Sequence, residues 1–120
     1  MKGGQAPVAV VIPAFRSAGT LGECLESVLC QSVAPAEIVV VDDGSPDDIA
    51  GVVARFGGRV RCIRQENGGP GAARNRGVAA TGAPLLAFLD ADDVWLPRRL
   101  ERTRAALAAH PGADLVFADA

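Results

Sequence analysis

The chain has 120 residues with 14 acidic and 12 basic side chains, and its net charge of -2 gives no reason to expect nucleic acid as a partner. At 49% apolar and 22% charged, the composition is that of an ordinary soluble globular protein. The length is most simply one domain, large enough to bury a real core but short for a complete α/β enzyme.

Val8 to Ile12 is a continuous β-branched and small apolar run closed by Pro13, the pattern of a strand buried on both faces. Thr20-Leu21-Gly22-Glu23 has the form of a capping box, with the Thr20 hydroxyl and Glu23 carboxylate placed to satisfy amides at a helix start. Leu21, Cys24, Leu25, Val28 and Leu29 then share one helical face, and Pro35 ends the unit. Glu37 to Val41 repeats the buried-strand pattern and runs into Asp42-Asp43-Gly44-Ser45-Pro46. Ser45 is expected to cap a second helix with Pro46 at its first position, running to Phe56 before Gly57-Gly58. Arg59 to Arg64 reads as a weaker strand nearer an edge.

Glu66 to Gly71 is a glycine-rich turn, and Ala72 to Ala80 has the small residues of a closely packed short helix. Leu85 to Leu89 is the next strand, ending in Asp90-Ala91-Asp92-Asp93. Leu96-Pro97 opens a last helix with Leu100, Thr103, Ala106, Leu107 and His110 on one face, stopped by Pro111-Gly112. Asp114 to Ala118 reads as one more strand. Strands alternating with helices predict an α/β fold, a mostly parallel sheet with helices on both faces. A strand as the last element suggests a sheet that continues beyond this sequence, over residues 1–120 as one part of a larger domain.

Several classes are disfavoured. The three cysteines, Cys24, Cys30 and Cys62, and the lone His110 lack metal-ligand spacing, so neither a zinc site nor a disulfide framework is expected and a reducing compartment fits. Cys24 and Cys62 sit in apolar patterns and read as small core residues. Arg98, Arg99, Arg102 and Arg104 read as a solvated helix face. No span of about 18 apolar residues and no secretion signal is present, so a cytoplasmic location is expected, with room for peripheral membrane attachment in a longer parent. The single lysine, Lys2, rules out a P-loop NTPase, and the glycines from Gly68 to Gly71 lack dinucleotide-fingerprint spacing.

The chemistry concentrates where two strands end in acid. If the strands before Asp42-Asp43 and before Asp90-Ala91-Asp92-Asp93 are parallel, both loops open on the carboxyl edge of one sheet, where open α/β sheets bind ligands. Asp42 and Asp43 are equally well read as turn or helix caps. Three acids in four residues exceed what a cap requires. In an extended segment Asp90 and Asp92 would point the same way, and oxygen-only ligands favour Mg²⁺ or Mn²⁺. A departing diphosphate is the chemistry such a site suits.

Four blocks, Val10 to Phe15 (VVIPAF), Ile38 to Ser45 (IVVVDDGS), Asn67 to Gly77 (NGGPGAARNRG) and Phe88 to Asp93 (FLDADD), together resemble the family 2 glycosyltransferases of the GT-A fold. The resemblance implies a Rossmann-like nucleotide-binding half and transfer of a sugar, with inversion, from a nucleotide-diphosphate sugar, a UDP-sugar foremost. The acceptor would be a saccharide, lipid or protein hydroxyl. It places Pro13 and Phe15 at the base and ribose, Asp43 at the base and Arg74 near the nucleotide. Asp90 would approach the ribose and, with Asp92, hold the divalent cation, while Asp93 is a frequent third acid. Phe15 stands where tyrosine is common, keeping a stacking surface without a hydroxyl. The general base is implied to lie in a later segment, and Asp114 and Asp119 match no base motif. The competing expectations are a non-catalytic module, with an exposed sheet edge that offers a dimer contact, and a sugar-phosphate nucleotidyltransferase, whose early glycine-rich loop is missing.

Overall fold

The computed structural model describes residues 7–109. Its strands are β1 (Val8–Ala14), β2 (Glu37–Asp42), β3 (Arg61–Arg64) and β4 (Leu85–Phe88), joined through helices α1 (Ala18–Leu29), α2 (Ile49–Ala54), α3 (Pro70–Ala80) and α4 (Arg99–Ala109). All three strand pairings are parallel and the order is β3-β2-β1-β4. The expected strand over 114–118 and the expected place of His110 lie outside the described residues.

The β-branched runs of β1 and β2 occupy the centre because neighbours on both edges and helices on both faces leave them no contact with water. Val10, Ile12, Val40 and Ala87 pack with Leu21, Cys24, Leu25 and Val28 of α1, Ile49 and Val53 of α2, and Leu100 of α4. On the other face Val39 and Val41 meet Ala73 of α3, with Ile63 and Ala80 beside them. Helix α3 approaches closely because it offers glycine: a Cβ on Gly77 would overlap Val11 Cγ1. Strand β3, at the edge, carries exposed Arg61 and Arg64 around half-buried Cys62 and Ile63, a placement that discourages further pairing.

Pro13 lies inside the central strand without costing a ladder bond. The carbonyls of Val8 and Ala14 accept from Ala36 and Asp43 on the β2 side, and that of Val11 accepts from Leu89 on the β4 side. By this alternation Pro13 faces β4, which has already ended at Phe88. The sheet therefore opens between β1 and β4 at its carboxyl edge, where the strand order reverses.

The expected start of each helix is corrected. Helix α1 starts at Ala18 after Ser17, and Thr20 does not cap it: its one hydroxyl hydrogen is shared between the carbonyls of Ser17 (3.2 Å) and of Ala91 (3.0 Å). Helix α2 starts at Ile49, capped by Asp48, whose carboxylate accepts from the Gly51 amide at 2.9 Å; it stops at Ala54 before a 3₁₀ turn, Gly57–Arg59. Ser45 is drawn away from capping, accepting from the distant Arg16 amide (2.7 Å) and donating to its near neighbour Asp47. Helix α3 begins two residues earlier than expected, at Pro70, and α4 begins at Arg99 rather than Leu96. No described helix is long and apolar enough to cross a membrane.

Candidate functional site

The opening between β1 and β4 forms a cleft of about 590 Å³ that reaches across to the start of α3. Of the residues expected in a site, Pro13, Phe15, Asp43, Asp90 and Asp92 all line it. Arg74 is beside it, with a guanidinium nitrogen 3.7 Å from the Asp90 carboxylate and both side chains substantially exposed. Arg16, Ser17, Thr20, Asn67, Gly69 and Ala73 also face the cleft and were not singled out from the sequence. Asn67, Gly69 and Ala73 lie inside the third motif block and Arg16 and Ser17 just after the first, which was the available signal.

The β1 end supplies an aromatic surface. Phe15 is 44% exposed, and the Arg16 guanidinium lies 5.2 Å from its ring centroid. Arg16 has φ +54, a conformation that side chains with a Cβ adopt at a cost, and its amide bond to Ser45 helps to hold it there.

The β2 end is a buried polar knot. Asp42 accepts from Arg64 (2.7 Å) and from the Ser45 amide (3.0 Å), which bears out the turn-capping alternative for this residue. Asp43 is buried, and its carboxylate receives Gln65 Nε2 (2.8 Å) and the amides of Gly68 (2.9 Å) and Gly69 (3.0 Å), with Asn67 Nδ2 at 3.4 Å. Burial pushes the Asp43 carboxyl up, but the bonds from Gln65, Gly68 and Gly69 outweigh it and hold the group below the ordinary carboxylate range. Asp43 thereby fixes the glycine-rich segment at the mouth of α3. Gly69 (φ +92) turns the chain into the helix, and Pro70 occupies the first position, where a missing N–H is harmless.

The β4 end is the acidic turn, and it is not extended as expected. The Asp93 amide donates to the Asp90 carbonyl at 3.0 Å, so the segment curls, while buried Ala91 faces away from exposed Asp90 and Asp92 as expected. The curl brings Asp93 into the group: one carboxylate oxygen from each of Asp90, Asp92 and Asp93 lies within 4.8 Å of the others. Ligands of one Mg²⁺ sit about 3 to 4 Å apart, so the three need only a small contraction to share a hard cation. Close by, burial first and then the charges of Asp93, Asp92 and Asp90 push the Cys24 thiol up to about 12, as suits an inert core cysteine.

This parallel α/β sheet, with its cleft beside an acidic turn, matches the Rossmann-like half of the GT-A fold in solved structures. The S. aureus TarS fragment 1–349 in complex with UDP superposes with a TM-score of 0.79 at 26% identity, covering 88% of this chain and 33% of that one. The corresponding complex with UDP-GlcNAc gives 0.76 at 28% identity over 88% and 32%. Residues 9–118 match glycosyl transferase family 2, and the chain belongs to that family. Among its relatives in Rhizobium meliloti, the succinoglycan biosynthesis protein ExoW is 41% identical over 80% of this chain and 32% of its own length. A second, ExoU, is 43% identical over 78% and 28%. The chain spans a third or less of the length of the relatives and solved structures it matches.

Proposed function

We propose that this chain is the donor-binding part of a glycosyltransferase, and that the cleft between β1 and β4 receives a nucleoside-diphosphate sugar, with a uridine nucleotide as the leading donor. The observation that carries the reading is the meeting, at one cleft, of an exposed aromatic ring after β1 and the carboxylates of Asp90 and Asp92 after β4, with Arg74 of α3 and Asp93 close beside them. Binding of UDP and UDP-GlcNAc by the TarS structures of similar fold supports the choice of ligand.

Phe15 offers its ring to the base and Pro13 shapes the floor of the base and ribose pocket. Asp43 borders the base and sets the Asn67 to Gly69 segment against it. Arg74 is placed to exchange its long contact with Asp90 for a diphosphate oxygen. Asp90 and Asp92, with Asp93 beside them, would hold Mg²⁺ or Mn²⁺, an assignment their oxygen-only donor set and spacing fit. When bound, the cation supplies charge stabilisation to the leaving diphosphate. In the whole enzyme an acceptor hydroxyl oxygen attacks the anomeric carbon opposite the diphosphate. The carbon–oxygen bond to the phosphate breaks, the configuration inverts, and the hydroxyl proton passes to a base outside this set of residues.

Calorimetric titration with UDP, with and without Mn²⁺, tests the reading. UDP binding strengthened by Mn²⁺, with that gain lost in Asp92→Ala, is expected. Absence of UDP binding at millimolar ligand in both conditions would remove the donor assignment and leave the fold alone.

A further inference from the structure

Four polar side chains of α1 and the turn after it, Thr20, Cys24, Ser27 and Gln31, are spaced by 4, 3 and 4 residues and so form one stripe. Each reaches the backbone of the segment from Asp90 to Leu100, some 65 to 71 residues away in sequence. Cys24 Sγ donates to the Asp90 carbonyl (3.6 Å) and Thr20 Oγ1 to that of Ala91 (3.0 Å). Ser27 Oγ donates within its own helix to the Cys24 carbonyl (2.7 Å) and accepts from the Trp95 amide (3.0 Å). Gln31 gives its two amide hydrogens to the carbonyls of Ser27 (3.0 Å) and Leu96 (2.7 Å), while its oxygen accepts from the Leu100 amide (3.0 Å).

These bonds bracket the acidic turn on both sides. Ala91 and Trp95 are each 4% exposed and act as apolar pegs, whereas Asp90 and Asp92 are left outside. Three carboxylates within 4.8 Å repel one another when nothing neutralises them, and a loop free to relax would spread them apart. A backbone clamped at Asp90, Ala91, Trp95 and Leu96 cannot relax in that way.

We propose that Thr20, Cys24, Ser27 and Gln31 are positioning residues that hold the acidic turn preorganised for a divalent cation. The proposal rests on the reading of that turn as a cation site. It assigns α1 a role beyond covering the sheet: one face of the helix builds the core and the adjoining stripe sets the geometry of the ligand carboxylates.

The test compares the full chain with Ser27→Ala, Gln31→Met and, as a buried control on a different helix, Val53→Ala. Mn²⁺ alone is titrated by calorimetry, and amide exchange of Trp95 and Leu100 is followed without metal. Ser27→Ala and Gln31→Met are expected to weaken Mn²⁺ binding about tenfold and to speed exchange at Trp95 and Leu100 respectively. Val53→Ala should lose stability with unchanged Mn²⁺ affinity. Folded stripe variants that exchange faster and still bind Mn²⁺ like the unsubstituted chain would show a purely structural role and overturn the proposal. Equal weakening in the control would do the same. If Gln31→Met does not fold, Thr20→Val, which keeps the shape of an exposed side chain and removes its bond to Ala91, makes the same comparison. An unsubstituted chain that binds UDP but no Mn²⁺ would defeat the cation site and this proposal together while leaving the donor cleft standing.

Discussion

At the end of β2 the carboxylates of Asp42 and Asp43 are buried and every oxygen has a protein partner. At the end of β4, on the same edge of the same sheet, Asp90 and Asp92 are exposed, and Asp90 meets Arg74 only at 3.7 Å. The two loops begin from nearly the same sequence event, an apolar strand running into acid. They differ in what surrounds them: backbone amides and Arg64 consume the first pair, while the curled β4 turn gathers its carboxylates and leaves them to solvent. A carboxylate saturated by the protein shapes a site, and one left unneutralised is available to a ligand.

The comparison breaks most visibly at Asp43. Asp43→Ala strands the Gly68 and Gly69 amides and Gln65, and should cost about 3 kcal/mol in urea unfolding, with loss of UDP binding as the α3 mouth loosens. Because the folded Asp43 pKa lies below its unfolded value, its contribution to stability is fully present above about pH 4, the unfolded range. It is lost as pH falls through the folded pKa. An Asp43→Asn chain should lack that part of the acid sensitivity, which unfolding midpoints at neutral pH compared with those taken below about pH 4 would reveal.

A smaller effect is expected where α3 meets β1. Gly77→Ala forces a methyl into Val11 and should cost about 2 kcal/mol by thermal unfolding, shifting the glycine-rich mouth without touching either acidic loop. Phe15→Ala should leave stability almost unchanged, since the ring is 44% exposed, while weakening UDP binding by about 1 to 2 kcal/mol in calorimetry. The smallest change is reserved for the β4 loop itself. Asp92→Asn removes one of three repelling charges, so unfolding without metal should be neutral or stabilised by up to about 0.5 kcal/mol. A marked loss there would mean that Asp92 is consumed by the fold in the manner of Asp43.

Much of this arrangement was legible in order along the chain. The strands of β1 and β2, the buried face of α1 and the edge position of β3 follow from hydrophobic spacing and length, and the placing of Asp43, Asp90 and Asp92 at one edge follows from parallel strands. Errors gathered where short polar residues had several partners open to them. Thr20 and Ser45 read as helix caps because local bonding was the only bonding visible, yet the first reaches Ala91 and the second accepts from the Arg16 amide, 71 and 29 residues away. The acidic segment read as extended because alternation is a local rule; the alternating exposure of Asp90, Ala91 and Asp92 holds, but the bond from the Asp93 amide to the Asp90 carbonyl curls the segment.

The sequence by itself therefore determined the class of fold, the edge on which the chemistry sits and the family, since these depend on periodicity and on short motifs that any local reading can register. Tertiary structure alone decided which carboxylates are spent on the protein and which are free, because that choice depends on donors brought from 22 to 26 residues away for Asp43. It also decided that α1 grips the acidic turn, through contacts 65 to 71 residues apart. Hydrogen bonds at such separations leave no periodic trace, and only the packed sheet brings their partners within reach.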